Sequence, residues 1–257
     1  MKTSIENILI SPTIDAVSAV AAITGKEGDN ILDDNIRRVY AVSGNLDVSV
    51  YNIGYLTSVD FIALFNVYFD SQLILELYDL SDVLLATYIF DTTDMIGFQI
   101  KNLYVNVPAT IIGIDRIRAY TTGSGGVTKW IGYIWAGEYV DFECLEKALP
   151  VSQSNDNVQV SRTNHPETNV SYKYRTFTVT LRKEHDFKVL RELIESIQLD
   201  GYGKGRPWMF DEVPFSGEMY FCIMDSGKVQ HDLFDFQTVS GGTEYSSQSV
   251  FGLREVT

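Results

Sequence analysis

VDFIALFNVYFDSQLILELYD (Val59–Asp79) is the stretch that decides the fold, and WIGYIWAGEYVDF (Trp130–Phe142) is its counterpart later in the chain. Both are β-branched or aromatic runs with Asn, Asp or Gly at the turns, the pattern of buried strands. Phe61, Ala63, Phe65, Val67 and Phe69 alternate onto one face of an extended segment. Ile62, Leu64 and Tyr68 fill much of the other, with Asn66 among them. A strand apolar on both faces belongs inside a layered structure. Leu73, Leu75 and Leu77 then alternate with Ile74, Glu76 and Tyr78, which predicts a strand covered on one side. Asp70–Ser71 reads as a hairpin turn joining the two.

The same pattern extends outward. Val39–Val42, Leu46–Tyr51, Val83–Phe90, Phe98–Val107 and Ala109–Tyr120 read as further strands, the last with a bulge at Gly113. Short strands at even spacing without helical periodicity predict a sandwich or jelly roll over residues 1–149. Residues 150–171 turn polar, with Pro150 and Pro166, and read as a linker. Tyr174–Arg182 alternates cleanly and opens a third region, residues 172–257. Glu184–Leu199 switches to helical spacing, with Phe187, Leu190, Leu193, Ile194 and Ile197 on one stripe. Trp208–Phe210, Met219–Met224, Leu233–Val239 and Val250–Val256 are further strands. The fold class expected is therefore mainly β, a β-sandwich followed by a β-rich domain with one amphipathic helix.

Composition narrows the function. The chain has 257 residues and a formal charge of −14. An acidic chain lacks the basic face that displaces counterions from nucleic acid, and it is repelled by anionic membranes. No run is long and apolar enough to cross a bilayer as a helix, and the N-terminus does not read as a signal peptide, because Glu6, Pro12 and Asp15 interrupt it. Neither nucleic acid nor membrane insertion is expected. Cys144 and Cys222 sit in apolar surroundings and read as buried free thiols. His165, His185 and His231 lack metal-ligand spacing.

Motifs of chemistry fail on context. GYGKGR (Gly201–Arg206) has a helix before it and a strand after it, the reverse of a phosphate loop. TTGSGGV (Thr121–Val127) lacks the first glycine and the following helix of a nucleophile elbow. Asp29, Asn30, Asp33 and Asp34 offer the oxygens calcium takes, but without EF-hand spacing, and read as a solvated loop. Asp33–Asp34 and Asp211–Glu212 are acid pairs that the sequence does not set across a cleft. No catalysis, cofactor or metal is expected. Tyr133, Trp135 and Tyr139 alternate and read as core. Arg206 and Trp208 are the residue types that anchor interfaces, and they are the candidate contact residues.

The order VDFIALFN, LILELYD and WIGYIWAGEYVDF resembles the galactose-binding-like (discoidin-type) jelly roll of some bacteriophage tail proteins. YRTFTVTLRKEHDFKVLRELIE, RPWMFD, EMYFCIM and SVFGLREV resemble the β-rich, one-helix domains of phage tail and baseplate proteins. The two resemblances span roughly residues 39–142 and 172–256. They imply a structural virion protein of the distal tail, made in the host cytoplasm, that assembles as a homo-oligomeric ring with other tail proteins. The first module also implies an alternative, recognition of a host-surface glycan. The family's sugar-contacting loops vary, so no binding residue carries over from it.

Overall fold

A computed structural model of the chain describes residues 2–4, 7–10, 16–19, 22–33, 35–51, 58–96, 101–123, 126–141, 144–146, 151–154, 157–160, 166–169, 173–182, 205–210, 218–224, 230–239 and 242–256. The chain is mainly β. The strands are β1 (Lys2–Thr3), β2 (Ala16–Ala19), β3 (Tyr40–Ser43), β4 (Asp47–Tyr51), β5 (Phe61–Tyr68), β6 (Gln72–Tyr78), β7 (Leu84–Asp91), β8 (Leu103–Asn106), β9 (Arg116–Thr122) and β10 (Thr128–Gly137). They are followed by β11 (Val140–Asp141), β12 (Cys144–Glu146), β13 (Val151–Ser154), β14 (Asn157–Val160), β15 (Pro166–Asn169), β16 (Lys173–Arg182), β17 (Arg206–Phe210), β18 (Glu218–Met224), β19 (Gln230–Val239) and β20 (Gly242–Glu255). The helix predicted for Glu184–Leu199 lies outside the described residues.

Two antiparallel sheets form a sandwich. One has the order β2-β4-β9-β6-β7 and the other β3-β10-β5-β8. Their facing side chains make one core: Val48, Val50, Leu73, Leu75, Leu77 and Ile117 from the first, and Tyr40, Val42, Ile62, Leu64, Val67 and Ile134 from the second. The hairpin expected at Asp70–Ser71 is instead a crossover. β5 and β6 lie in different sheets, with β5 paired to β10 and β8, and β6 to β7 and β9. The burial patterns give the reason. β5 is buried on both faces, whereas β6 alternates between buried and half-buried positions. A doubly buried strand needs cover on two sides, which a neighbour with one wet face does not share. The strand expected over Ala109–Tyr120 begins only at Arg116. Gly113 sits in the preceding loop at φ +74°, a left-handed conformation that glycine takes without penalty and that ends a strand.

The second cover for β5 and β10 is a nine-stranded sheet running β11-β1-β17-β18-β20-β16-β12, with β13 on β16 and β19 on β20. Phe61, Ala63, Phe65, Tyr133 and Trp135 of the middle sheet pack with Met209, Met219 and Phe221 of β17 and β18 in one buried cluster. Phe221 is its wedge, with ring centroids 4.8 Å from Phe65, 5.6 Å from Tyr133 and 6.4 Å from Trp135. The chain's first strand, β1, completes this sheet between β11 and β17. In the stretch read as a linker, β13 pairs with β16, and β14 pairs with β15.

Asn7 ties the N-terminal segment to β10. Its amide donates to the Ile134 carbonyl at 2.9 Å and to the Tyr133 hydroxyl at 3.1 Å, and its oxygen accepts from Leu9 and Ala136. Every polar valence of this buried side chain is thereby met. Cys222 is a buried free thiol, as expected. Burial pushes its pKa well above the ordinary thiol value, so it is held as the unreactive thiol.

Because Phe221 joins two sheets, its loss empties space in both. Phe221→Ala should destabilise the chain by about 3–5 kcal/mol, read from denaturant unfolding. A loss below about 0.5 kcal/mol would mean that the inter-sheet cluster is not a core.

Candidate functional site

Two surfaces gather aromatic and polar side chains. The first is the outer face of the five-stranded sheet. Register places Asp47, Tyr120, Ile74 and Ile89 in one row across β4, β9, β6 and β7, and Ser49, Arg118, Glu76 and Thr87 in the next. Arg118 donates through Nε and Nη2 to both Asp47 oxygens, at 2.9 and 2.7 Å. Glu76 accepts from the Tyr78 hydroxyl at 2.6 Å, the Tyr120 hydroxyl at 3.1 Å and Arg118 Nη1 at 3.4 Å. The Arg118 guanidinium lies 4.5 Å from the Tyr120 ring centre, and that of Arg116 3.8 Å from the Tyr78 ring centre. Arg116 also pairs with Asp82 at 3.0 Å. The hydrogen bond to Glu76 raises the Tyr78 phenol above its ordinary pKa; burial and then Glu76 do the same to Tyr120. Arg118, Glu76 and the Tyr78 and Tyr120 hydroxyls spend their donors and acceptors on one another and on Asp47. This network braces the sheet face and leaves little for a ligand.

The second surface is open. Phe61, Ala63 and Phe65 of β5 face the nine-stranded sheet while Ile62 and Leu64 face the sandwich core, yet Val67 and Phe69 also face that core. The alternation has slipped by one residue at Asn66. β10 slips at the same level: Tyr133 and Trp135 face outward, but Ile131 faces in. Between Ile131↔Val67 and Tyr133↔Phe65 the register is unchanged but the pairing is interrupted, so Asn66 and Gly132 stand opposite each other as one extra residue in each strand's alternation. Asn66 is at φ +52°. A cage of contacts holds it there: Nδ2 donates to the Ile36 carbonyl at 2.7 Å, Oδ1 accepts from Trp130 Nε1 at 3.2 Å, and its backbone N–H donates to Asn102 Oδ1 at 3.3 Å. Gly132 is required opposite, since a Cβ there would stand 2.5 Å from the Ile36 carbonyl oxygen and 2.8 Å from Asn66 Cβ.

The slip turns Tyr68 and Trp130 outward. They are register partners and stack with ring centroids 4.6 Å apart and planes 22° apart. Tyr68 is 38% exposed and Trp130 is half-buried. They continue the aromatic stripe of the middle sheet past the point where β17 and β18 cover it. Thr128 and Ser43, paired with each other, stand one step along the same face. Beneath this end, the fully buried Lys129 ammonium bonds Asp70 at 3.1 Å, Asn45 at 3.0 Å and the Thr122 carbonyl at 3.4 Å. One cation thus fixes three connections around the stack.

The residues singled out from sequence lie elsewhere. Arg206 and Trp208 are 3% and 1% exposed, inside β17; Trp208 packs on Phe251 within the C-terminal sheet. Gly201–Lys204, Asp34, Ser124, Asp211 and Glu212 lie outside the described residues. Asp33 is paired with Arg38 at 2.7 Å, and Asn30 donates to the Val39 carbonyl. Among the described residues no three His, Cys, Asp or Glu side chains gather as a metal set. Tyr133 and Trp135 are core, as read. Tyr68, Trp130 and Asn66 were not singled out, although an Asn inside an apolar run and a Gly in WIGYIW were the available signals: these two residue types accommodate a slipped strand.

No protein-family model matches the chain, and no curated protein matches it. Solved structures similar to it include the lectin domain of lectinolysin complexed with Lewis B antigen (16% identity, 51% of this chain and 95% of that one, TM-score 0.41). A Streptococcus pneumoniae fucose binding module has 12% identity over 51% of this chain and 94% of its own, with TM-score 0.41. A Ruminococcus gnavus GH29 fucosidase in complex with fucose has 13% identity over 53% of this chain and 27% of its own, with TM-score 0.40.

Gly132→Ala tests the slipped alternation. The added methyl meets backbone and should cost about 1–3 kcal/mol, with a change in the near-ultraviolet dichroism of the Tyr68–Trp130 stack. An unchanged spectrum and unchanged stability would show that the strands tolerate a regular alternation.

Proposed function

We propose that the sandwich is a non-catalytic module that binds carbohydrate at the Tyr68–Trp130 platform. The observation that carries this reading is the outward stack itself, obtained at the expense of a left-handed Asn66. A non-glycine residue in that region is held against a local energy cost, and such residues persist where the surroundings over-determine them, often at functional positions. What the cost achieves is two aromatic rings in solvent where regular alternation would have turned Val67 and Phe69 outward. A pyranose has an apolar C–H face and a rim of hydroxyls. The rings match the first by dispersion and area burial; the hydroxyls of Ser43 and Thr128 on the same face match the second. Aromatic residues of this kind concentrate binding energy.

Tyr68→Ala and Trp130→Ala should each leave the far-ultraviolet dichroism intact and weaken binding on a glycan array at least tenfold, which is about 1.4 kcal/mol. Binding that survives both substitutions would remove the platform from the reading, and a wild-type chain that binds no glycan would remove the reading itself.

A second reading, a structural ring subunit of a phage tail tip, is favoured by one feature. Among the described residues, Gly242–Ser247 of β20 pairs with β19 alone, while Gln248–Arg254 pairs with β16. The hairpin therefore reaches past its sheet as a two-stranded arm, and isolated two-stranded ribbons are marginal until they meet a partner. Replacing residues 233–247 by a short turn should abolish closed oligomers in negative-stain images if this reading holds; a monomeric wild-type chain that binds glycan would exclude it.

A further inference from the structure

The β6–β7 hairpin presents an apolar edge. Four large apolar side chains stand in solvent on it: Leu80 (65% exposed), Val83 (55%), Leu84 (50%) and Ile89 (59%). β7 ends its sheet and pairs only with β6 among the described strands, so among the described residues no strand pairs with its outer row of backbone donors and acceptors. Native edges are protected by proline, lysine, bulging away or shortness. β7 has eight residues, LLATYIFD, with no proline, glycine or basic residue; a bulge at Leu85, near its start, sets Leu84 on the same outer face as Ile89 and leaves Ala86–Asp91 in regular pairing with β6. On the inner side, Leu85, Ala86 and Tyr88 are only partly buried against the sandwich core. The core is thus unfinished along this edge, and the unpaired backbone selects an extended strand as the element that finishes it.

Charge selects which strand. No lysine or arginine occurs from Val39 to Ile100. Asp79 and Asp82 precede β7, and Asp91 and Asp94 close it, so the apolar edge has acid at both ends. Asp82 pairs with Arg116. Asp91 and Asp94 bond each other's backbone and Gln72 in a capping box, and neither pairs with a basic residue among the described residues. Two copies of β7 in antiparallel register would set the Asp82 end of one against the Asp91 end of the other, like charges on chains that each carry −14.

We propose that β7 is a docking edge for an extended segment of another protein, which adds to the sheet as a sixth strand. That segment carries apolar side chains opposite Leu84 and Ile89 and lysine or arginine at both ends. This site is independent of the glycan platform, which lies on the other sheet.

The test uses the full chain and two synthetic peptides of alternating valine and threonine, one ended by paired lysines and one by paired glutamates. The lysine-ended peptide should bind in fluorescence anisotropy, weaken at least tenfold when salt is raised to screen the acids, and slow amide exchange across Leu84–Asp91. The glutamate-ended peptide should bind at least tenfold more weakly. A Leu84→Asp, Ile89→Asp chain, folded by circular dichroism because both sites are exposed, should lose the lysine-ended peptide. Absence of binding, equal binding of the two peptides, or binding retained by the double variant overturns the proposal. So does a free wild-type chain that dimerises with β7 amides already protected, which would make a second copy the occupant.

Discussion

The structure depends on one sheet having two apolar faces. β5 and β10 present Ile62, Leu64, Ile134 and Ala136 to the sandwich and Phe61, Phe65, Tyr133 and Trp135 to β17 and β18. Each face would be a large exposed patch without its cover, so the hydrophobic effect requires two partners for the one sheet. The aromatics sit on the side where β17 and β18 close down, and Phe221 packs among them. The N-terminal strand β1 enters the far sheet, which ties the chain's beginning to its last third.

A cover of finite width leaves an end uncovered. Beyond Ile36, whose carbonyl caps the Asn66–Gly132 irregularity, the aromatic stripe runs on into solvent as Tyr68 and Trp130. The extra residue in each strand shifts which side chains face out there, and the buried Lys129 anchors the loops around them. Removing one partner of such a buried pair leaves an uncompensated charge, which is costly; the platform therefore rests on a rigid end. The opposite sheet face has comparable residue types arranged to opposite effect. Tyr78, Tyr120 and Arg118 are satisfied by Glu76 and Asp47, and the result is a brace.

Periodicity in the sequence was enough to place most of the strands. β4, β5, β6, β10, β16 and β18 fall where alternation puts them, because burial of one or both faces writes itself directly into residue type at period two. The double burial of Val59–Phe69 and the single cover of Leu73–Leu77 were legible for the same reason. Pairing was not legible. Alternation says which face of a strand is covered but not by which strand, so Asp70–Ser71 read as a hairpin although it crosses between sheets. Arg206 and Trp208 read as surface anchors, and only the packing of β17 on its neighbours puts them inside. The Tyr68–Trp130 platform was hidden by the slip at Asn66 and Gly132: a strand's parity is a property of regular backbone, and a single left-handed residue held by contacts from Ile36, Trp130 and Asn102 reverses it. Those contacts come from segments 30 to 64 residues away in the chain, and only the tertiary structure brings them to one place.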